Sequence, residues 1–115
     1  EYLVRAGYTR AARLAIQGGS NGGLLTGAAL TQRPDLFGAV ISAVPLLDML
    51  RYQSFLMGKY WVGEYGSADD PAQMKFLYAY SPYQHVKPGT RYPAVFLTAA
   101  ENDARVHPRV EPHLW

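Results

Sequence analysis

The feature that most constrains the fold of this chain is a serine set among glycines, Gly18-Gly19-Ser20-Asn21-Gly22. The short apolar run 14–17 precedes it and predicts a buried strand. Residues 21–32 carry apolar side chains at helical spacing, and Pro34 ends that helix. Glycines two positions before and after the serine remove side chains that would collide in a tight turn. The pattern therefore predicts a strand, a sharp turn at Ser20 and a helix.

Two more apolar runs, 37–44 and 92–99, predict further strands, with helical stretches between them. Asp70 followed by Pro71 is typical of a helix start, with an N-cap side chain before a proline in the first turn, and this helix should run to about Tyr80. The other predictions are a helix end at 1–7, a helix at 49–57, an aromatic, glycine-rich loop at 58–68 and a loop at 101–107. This alternation favours an α/β fold, with a mostly parallel sheet and helices on both faces.

A G-x-S-x-G serine that follows a strand and opens a helix is typical of a nucleophile elbow. The turn lifts the serine Oγ clear of the sheet. The helix N-terminus favours the negative charge that develops during acyl transfer. Ser20 is therefore the candidate nucleophile, and the backbone N–H of Asn21 is a candidate oxyanion donor. The competing interpretations are an ordinary glycine-rich turn and a phosphate-binding turn, although neither common phosphate-binding glycine motif is present.

A catalytic triad also needs an acid and a histidine after the serine in chain order. Asp103 follows the third predicted strand and is the favoured acid, with Glu101 as its rival. Asp48 also follows a strand, but it fits better as a helix cap. None of the histidines is well placed as the base, so we expect each of them to be a surface or loop residue. They are His85, His107 and His113.

Composition excludes several other kinds of site. The chain has no cysteine, which rules out disulfides, thiolate metal sites and a cysteine nucleophile. Its 11 Lys and Arg residues are scattered and its net charge is +2, which indicates a solvated surface and not a nucleic-acid interface. No segment approaches the roughly 18 apolar residues of a membrane helix. We expect no cofactor, no metal, no nucleic acid and no membrane partner.

Six ordered segments resemble the catalytic domain of prolyl oligopeptidases, and the likeness extends from Glu1 to about Pro108. They are residues 18–25, 31–37, 44–50, 61–66, 80–83 and 102–108. The resemblance implies a partial α/β-hydrolase fold. It also implies a serine endopeptidase that cleaves oligopeptides on the carboxyl side of proline through an acyl-enzyme, so a proline-containing oligopeptide is the expected partner.

Carried over residue by residue, the resemblance assigns Ser20 as nucleophile, the backbone of Asn21 as oxyanion donor and Asp103 as triad acid, in preference to Glu101. It implies that Arg105 hydrogen-bonds a substrate carbonyl near the scissile bond.

The resemblance also implies a proline pocket. Trp61 would stack on the substrate proline ring, with Tyr65 and Leu46 as further parts of the wall. Without the resemblance, Trp61 and Tyr65 would fit equally well as packing residues, and Arg105 as half of a surface ion pair.

Prolyl oligopeptidases also contain a β-propeller and a triad histidine on a later loop, and we find neither in this sequence. We therefore expect residues 1–115 to be a fragment of the catalytic domain, inactive by itself, with the histidine beyond Trp115. The tail 109–115 departs from the expected amphipathic helix because it contains Pro112. The absence of cysteine favours a cytoplasmic protein. A periplasmic or secreted one is the alternative, since the chain begins at Glu1 and not at Met.

Two other functions stay open. A related α/β-hydrolase peptidase or esterase would share the elbow but differ in its pocket. Cleavage after basic residues would call for carboxylates there, and Glu64 is the only acidic residue among residues 61–65. A non-catalytic truncated product is the third possibility, since an incomplete parallel sheet exposes strand edges and apolar surface.

Overall fold

Three short strands form the centre of the computed structural model, which describes residues 1–107. They are β1 (Ala15–Gly19), β2 (Ala39–Ala43) and β3 (Ala94–Thr98). All are parallel, in the order β1-β2-β3. The register aligns Gly18 with Ser42, and Ser42 with Leu97. The predicted α/β class, with a parallel sheet and helices, is confirmed, and the three strand predictions overlap the observed strands.

The described part of the chain also contains five helices: α1 (Tyr2–Arg5), α2 (Asn21–Gln32), α3 (Val62–Tyr65), α4 (Pro71–Tyr80) and α5 (Pro82–His85). The predicted bounds of α2 are confirmed. So is the start of α4, where Asp70 Oδ1 accepts a hydrogen bond from the Ala72 N–H at 2.8 Å. Gly7 follows α1 with a φ of 78°, a conformation that suits the predicted glycine stop. None of the helices in residues 1–107 combines the length and apolar character that crossing a membrane requires.

The helix predicted over 49–57 is wrong, because this stretch contains turns and one 3-10 turn, Tyr52–Ser54. Asp48 is not a helix cap there. Its carboxylate accepts hydrogen bonds from the Leu50 N–H and the Arg51 Nε, and Ser81 Oγ accepts from the Met49 N–H at 2.9 Å. The Met49 and Leu50 N–H groups are therefore satisfied by side chains, although no helix follows them.

The loop predicted over 58–68 is also partly wrong, since it contains a 3-10 turn, Gly58–Trp61, followed directly by α3. Likewise, the sequence predicted that the chain leaves helical structure at Ser81-Pro82, whereas α5 begins at Pro82. Both additions are short, and segments of four residues produce little periodic signal for a sequence pattern to reveal.

Helix α2 packs closely on β2 and on the segment that follows it, through small residues. A Cβ atom on Gly23 would lie 2.6 Å from Pro45 Cβ, and one on Gly27 would lie 2.4 Å from Leu47 Cδ2. Ser42 of β2 donates to the Gly23 carbonyl at 3.1 Å, and Thr26 Oγ1 lies 3.1 Å from Ser42 Oγ. The face of β2 with Ser42 is therefore covered by α2. On the opposite face of the sheet, Phe96 of β3 is 63% exposed.

We predict that Gly23→Ala destabilises the protein, whereas Gly22→Ala does not. The new methyl group at position 23 would meet Pro45, including its backbone Cα at 2.8 Å, while a Cβ at position 22 meets nothing within 4 Å in residues 1–107. Overpacking should cost about 1–3 kcal/mol, and alanine at the open helical site should stabilise by up to about 1 kcal/mol.

Urea unfolding of the two variants in the full-length gene product that carries this chain measures the difference. Because both changes lie in the first turn of the same helix, helix propensity is matched. Equal unfolding midpoints for the two variants would contradict close packing at Gly23.

Candidate active site

Ser20 has the strained backbone that the pentapeptide predicts. It lies between β1 and α2 with φ 55° and ψ −116°, a region that non-glycine residues seldom adopt. Its N–H donates to the Ala43 carbonyl at 2.9 Å, and its own carbonyl accepts from the Leu24 N–H at 3.1 Å. The end of β2 and the first turn of α2 therefore hold the serine backbone on both sides.

The two flanking glycines differ in what they allow. A Cβ on Gly18 would lie 2.1 Å from the Gly22 carbonyl oxygen, so only glycine fits there. A Cβ on Gly22 would meet no atom within 4 Å in the described residues. The expected collision therefore holds for Gly18 and is wrong for Gly22. Gly18 is therefore needed to leave room for the backbone of Gly22.

A cleft of about 150 Å³ lies beside Ser20. Seven residues line it: Ser20, Asn21, Leu46, Trp61, Glu64, Tyr65 and Arg105. Six of these were singled out as site residues, and the fold brings them together from four separate segments. The seventh residue is Glu64, which the sequence singled out only in connection with cleavage after basic residues. Asp103 does not line the cleft, and within residues 1–107 no histidine does.

Leu46 reaches the cleft because the chain turns sharply after β2. Val44 has a φ of 41°, a strained value for a β-branched residue. Its N–H donates to the Thr98 carbonyl at 2.8 Å, which ties the turn to the end of β3. Pro45 then packs against Gly23, and Leu46 lines the cleft with 2% of its surface exposed.

Tyrosines hold the segment that carries Trp61 and Tyr65. The Tyr65 ring meets the Tyr52 ring edge-on, with centroids 5.5 Å apart, and the Tyr52 hydroxyl donates to the Gly66 carbonyl. The Tyr65 hydroxyl donates to Asn21 Oδ1 at 2.8 Å. Burial raises the pKa of Tyr52 to about 12 and also raises the pKa of Tyr65, so both phenols stay protonated donors at neutral pH.

Tyr52 is the residue of this site that the sequence missed. It is 1% exposed and belongs to a buried cluster that also contains Leu46 and Val106. No motif marked it, and it lay in a stretch wrongly predicted to be helical.

Asp103 organises the loop after β3. Its Oδ1 accepts hydrogen bonds from the Val106 N–H at 2.9 Å and the Arg105 N–H at 2.7 Å. These two bonds hold the pKa of Asp103 below its usual value. The folded loop places Arg105 in the cleft and buries Val106 in the core. Within residues 1–107 the Oδ2 atom makes no hydrogen bond.

The histidines lie elsewhere. His85 Nδ1 is 3.0 Å from the Ser81 carbonyl oxygen, and its ring packs against Tyr78. The His107 ring packs against Phe55, with centroids 5.0 Å apart. His113 lies outside the described residues. Among residues 1–107, no group of three His, Cys, Asp or Glu side chains is arranged to hold a metal ion.

This geometry combines a strained serine and a helix N-terminus with an aromatic pocket and one charge of each sign. Residues 1–114 match the profile of the prolyl oligopeptidase family. A prolyl endopeptidase of Dictyostelium discoideum is 45% identical over 94% of this chain and 14% of its own length. The chain thus spans less than a fifth of the relatives it matches.

Solved structures agree with the sequence match. A chain from a structural study of two prolyl endopeptidases is 61% identical, with a TM-score of 0.90, over 93% of this chain and 16% of its own length. Prolyl oligopeptidase B from Galerina marginata, bound to a 35-residue hydrolysis and macrocyclization substrate, is 32% identical with a TM-score of 0.91, over 96% of this chain and 16% of its own length. By sequence and by fold, the chain belongs to the prolyl oligopeptidase family.

Proposed function

We propose that the full-length protein carrying this chain is a serine peptidase that cleaves oligopeptides on the carboxyl side of proline. The observation that carries the proposal is the single cleft in which Ser20 lies beside Trp61, Tyr65, Leu46 and Arg105. The prolyl endopeptidases among the relatives support the same specificity.

In the proposed reaction, Ser20 Oγ attacks the carbonyl carbon of the proline residue while its proton passes to a histidine. The Asn21 N–H stabilises the oxyanion of the tetrahedral intermediate. The C–N bond then breaks, the histidine returns the proton to the leaving amine, and water hydrolyses the acyl-enzyme. We expect the histidine to lie beyond Trp115, where the Asp103 carboxylate would orient it through Oδ2.

The pocket chemistry suits proline. A proline residue presents a flat apolar ring and has no N–H, so it needs an aromatic face and apolar walls but no acceptor. Trp61 and Leu46 supply these surfaces. Arg105 is exposed and makes no ion pair within residues 1–107. Its guanidinium is therefore available to hydrogen-bond a substrate carbonyl without adding a group that titrates.

Glu64 supports a second candidate, a peptidase that cleaves after basic residues. It lines the same cleft, and no ion pair or hydrogen bond within residues 1–107 engages its carboxylate. A cationic substrate side chain in the pocket would pair with it. The apolar lining opposes this alternative, because only one of the seven lining residues is acidic.

We predict that Ser20→Ala abolishes activity of the full-length gene product towards prolyl-peptide substrates. Loss of the nucleophile should lower kcat by about 10⁴- to 10⁶-fold. The matched control is Ser54→Ala, which removes the hydroxyl of an exposed serine outside the cleft. Undiminished turnover by Ser20→Ala would show that Ser20 is not the nucleophile.

Specificity is tested by paired fluorogenic peptides that differ only in proline or arginine before the scissile bond. We expect the prolyl peptide to be the better substrate by at least about 100-fold in kcat/KM, and Trp61→Ala to lower that value by about 10- to 100-fold through lost aromatic burial. If the arginyl peptide is preferred and Glu64→Gln removes that preference, the second candidate is correct.

The 115-residue chain by itself should turn over no prolyl substrate, because neither His85 nor His107 lines the cleft and we expect the base to lie outside residues 1–115. The assay compares it with its own Ser20→Ala variant, and circular dichroism establishes whether the chain is folded. Turnover that disappears in the variant would show that one of the three histidines serves as base.

A further inference from the structure

We propose that the Tyr65 hydroxyl is a positioning group for the oxyanion hole, because it holds the side chain of Asn21 and so links the proline pocket to the serine turn. The inference rests on the proposed function and goes beyond the role of Tyr65 as a pocket wall. The contact that carries it is the 2.8 Å hydrogen bond from the Tyr65 hydroxyl to Asn21 Oδ1, between residues 44 positions apart in the chain.

The bond determines where the Asn21 amide oxygen points. Asparagine at a helix start tends to accept hydrogen bonds from nearby backbone N–H groups. In this structure the Asn21 Oδ1 atom accepts a hydrogen bond from the Tyr65 hydroxyl instead. The Ser20 side chain makes no capping bond, and no acidic residue lies in the first turn of α2. Within residues 1–107 the Asn21 N–H has no acceptor. It is therefore left available for a substrate oxyanion.

Tyr65 is itself held firmly enough to act in this way. Its ring packs edge-on against Tyr52, a residue of the buried core, and the Tyr52 hydroxyl bonds to the carbonyl of Gly66, the residue that follows Tyr65. Gly66 has a φ of 93°, and a Cβ there would lie 2.9 Å from Phe76 Cζ. A positioning group works only if its own support is rigid, and the core supplies that support here.

The arrangement joins recognition to catalysis. A proline ring bound against Trp61 and Tyr65 would touch the ring whose hydroxyl restrains Asn21. Losing the hydroxyl should therefore weaken the oxyanion interaction, which is made in the transition state and not in the ground state. Such a loss lowers kcat and leaves KM nearly unchanged. A wall role alone predicts no change in Tyr65→Phe, because phenylalanine keeps the ring.

The test is a double-mutant cycle in the full-length gene product, with Tyr65→Phe, Asn21→Ala and the double variant assayed on a prolyl peptide. We expect each single change to lower kcat by about 5- to 20-fold, less than the loss of an oxyanion donor itself, with KM within about twofold. The double variant should be no slower than the slower single variant, because both remove one bond. Tyr60→Phe is the matched control, since Tyr60 is 65% exposed and outside the cleft.

Two outcomes would overturn the proposal: an unchanged kcat in Tyr65→Phe, or single effects that multiply in the double variant. The wild-type assay distinguishes a failure of this positioning role from a failure of the proposed function. If the wild type cleaves no prolyl peptide, the proposed function fails, and the same cycle is measured on the rate of inactivation by a fluorophosphonate reagent. Its phosphonyl oxygen would occupy the oxyanion hole, so non-additive slowing there would still support the link and additive slowing would refute it.

Discussion

The hydrogen bond from the Ser20 N–H to the Ala43 carbonyl holds the strained backbone on which the site depends. A serine at φ 55° persists only where its surroundings prescribe that conformation. Val44, the residue directly after β2, is also strained, and its N–H donates to the carbonyl of Thr98 at the end of β3. Backbone hydrogen bonds therefore connect the carboxyl ends of all three strands, and Ser20 lies at that end of the sheet.

The cleft and the core form one packed unit. Leu46, Tyr52 and Val106 belong to the same buried cluster, and each lies in or beside one of the segments that reach the cleft. The turn after β2 contributes Leu46, the loop after β3 places Arg105 next to Val106, and Tyr52 supports Tyr65. Because packed interiors transmit small displacements, a change in this cluster should also move the cleft.

Charge is used differently in the cleft and away from it. The loop after β3 relies on the Asp103 carboxylate, whose two backbone hydrogen bonds favour its ionised form. Glu64 and Arg105 border the cleft without an ion-pair partner in residues 1–107. By contrast, the exposed pairs of Arg33 with Glu1 and Asp35 contribute little to stability, because solvent screens them.

The sequence by itself determined the strand, turn and helix around Ser20, the start of α4 at Asp70 and the parallel α/β class, because these follow from glycines, caps and periodicity within a few residues. Its resemblance to a family also named six of the seven residues that line the cleft. Only the tertiary structure decided the path of residues 49–66, the place of Tyr52 and the bond between Tyr65 and Asn21. Those features rest on contacts between residues distant in sequence, such as Ser81 with Met49. Local patterns contain no information about which distant partner a side chain will meet.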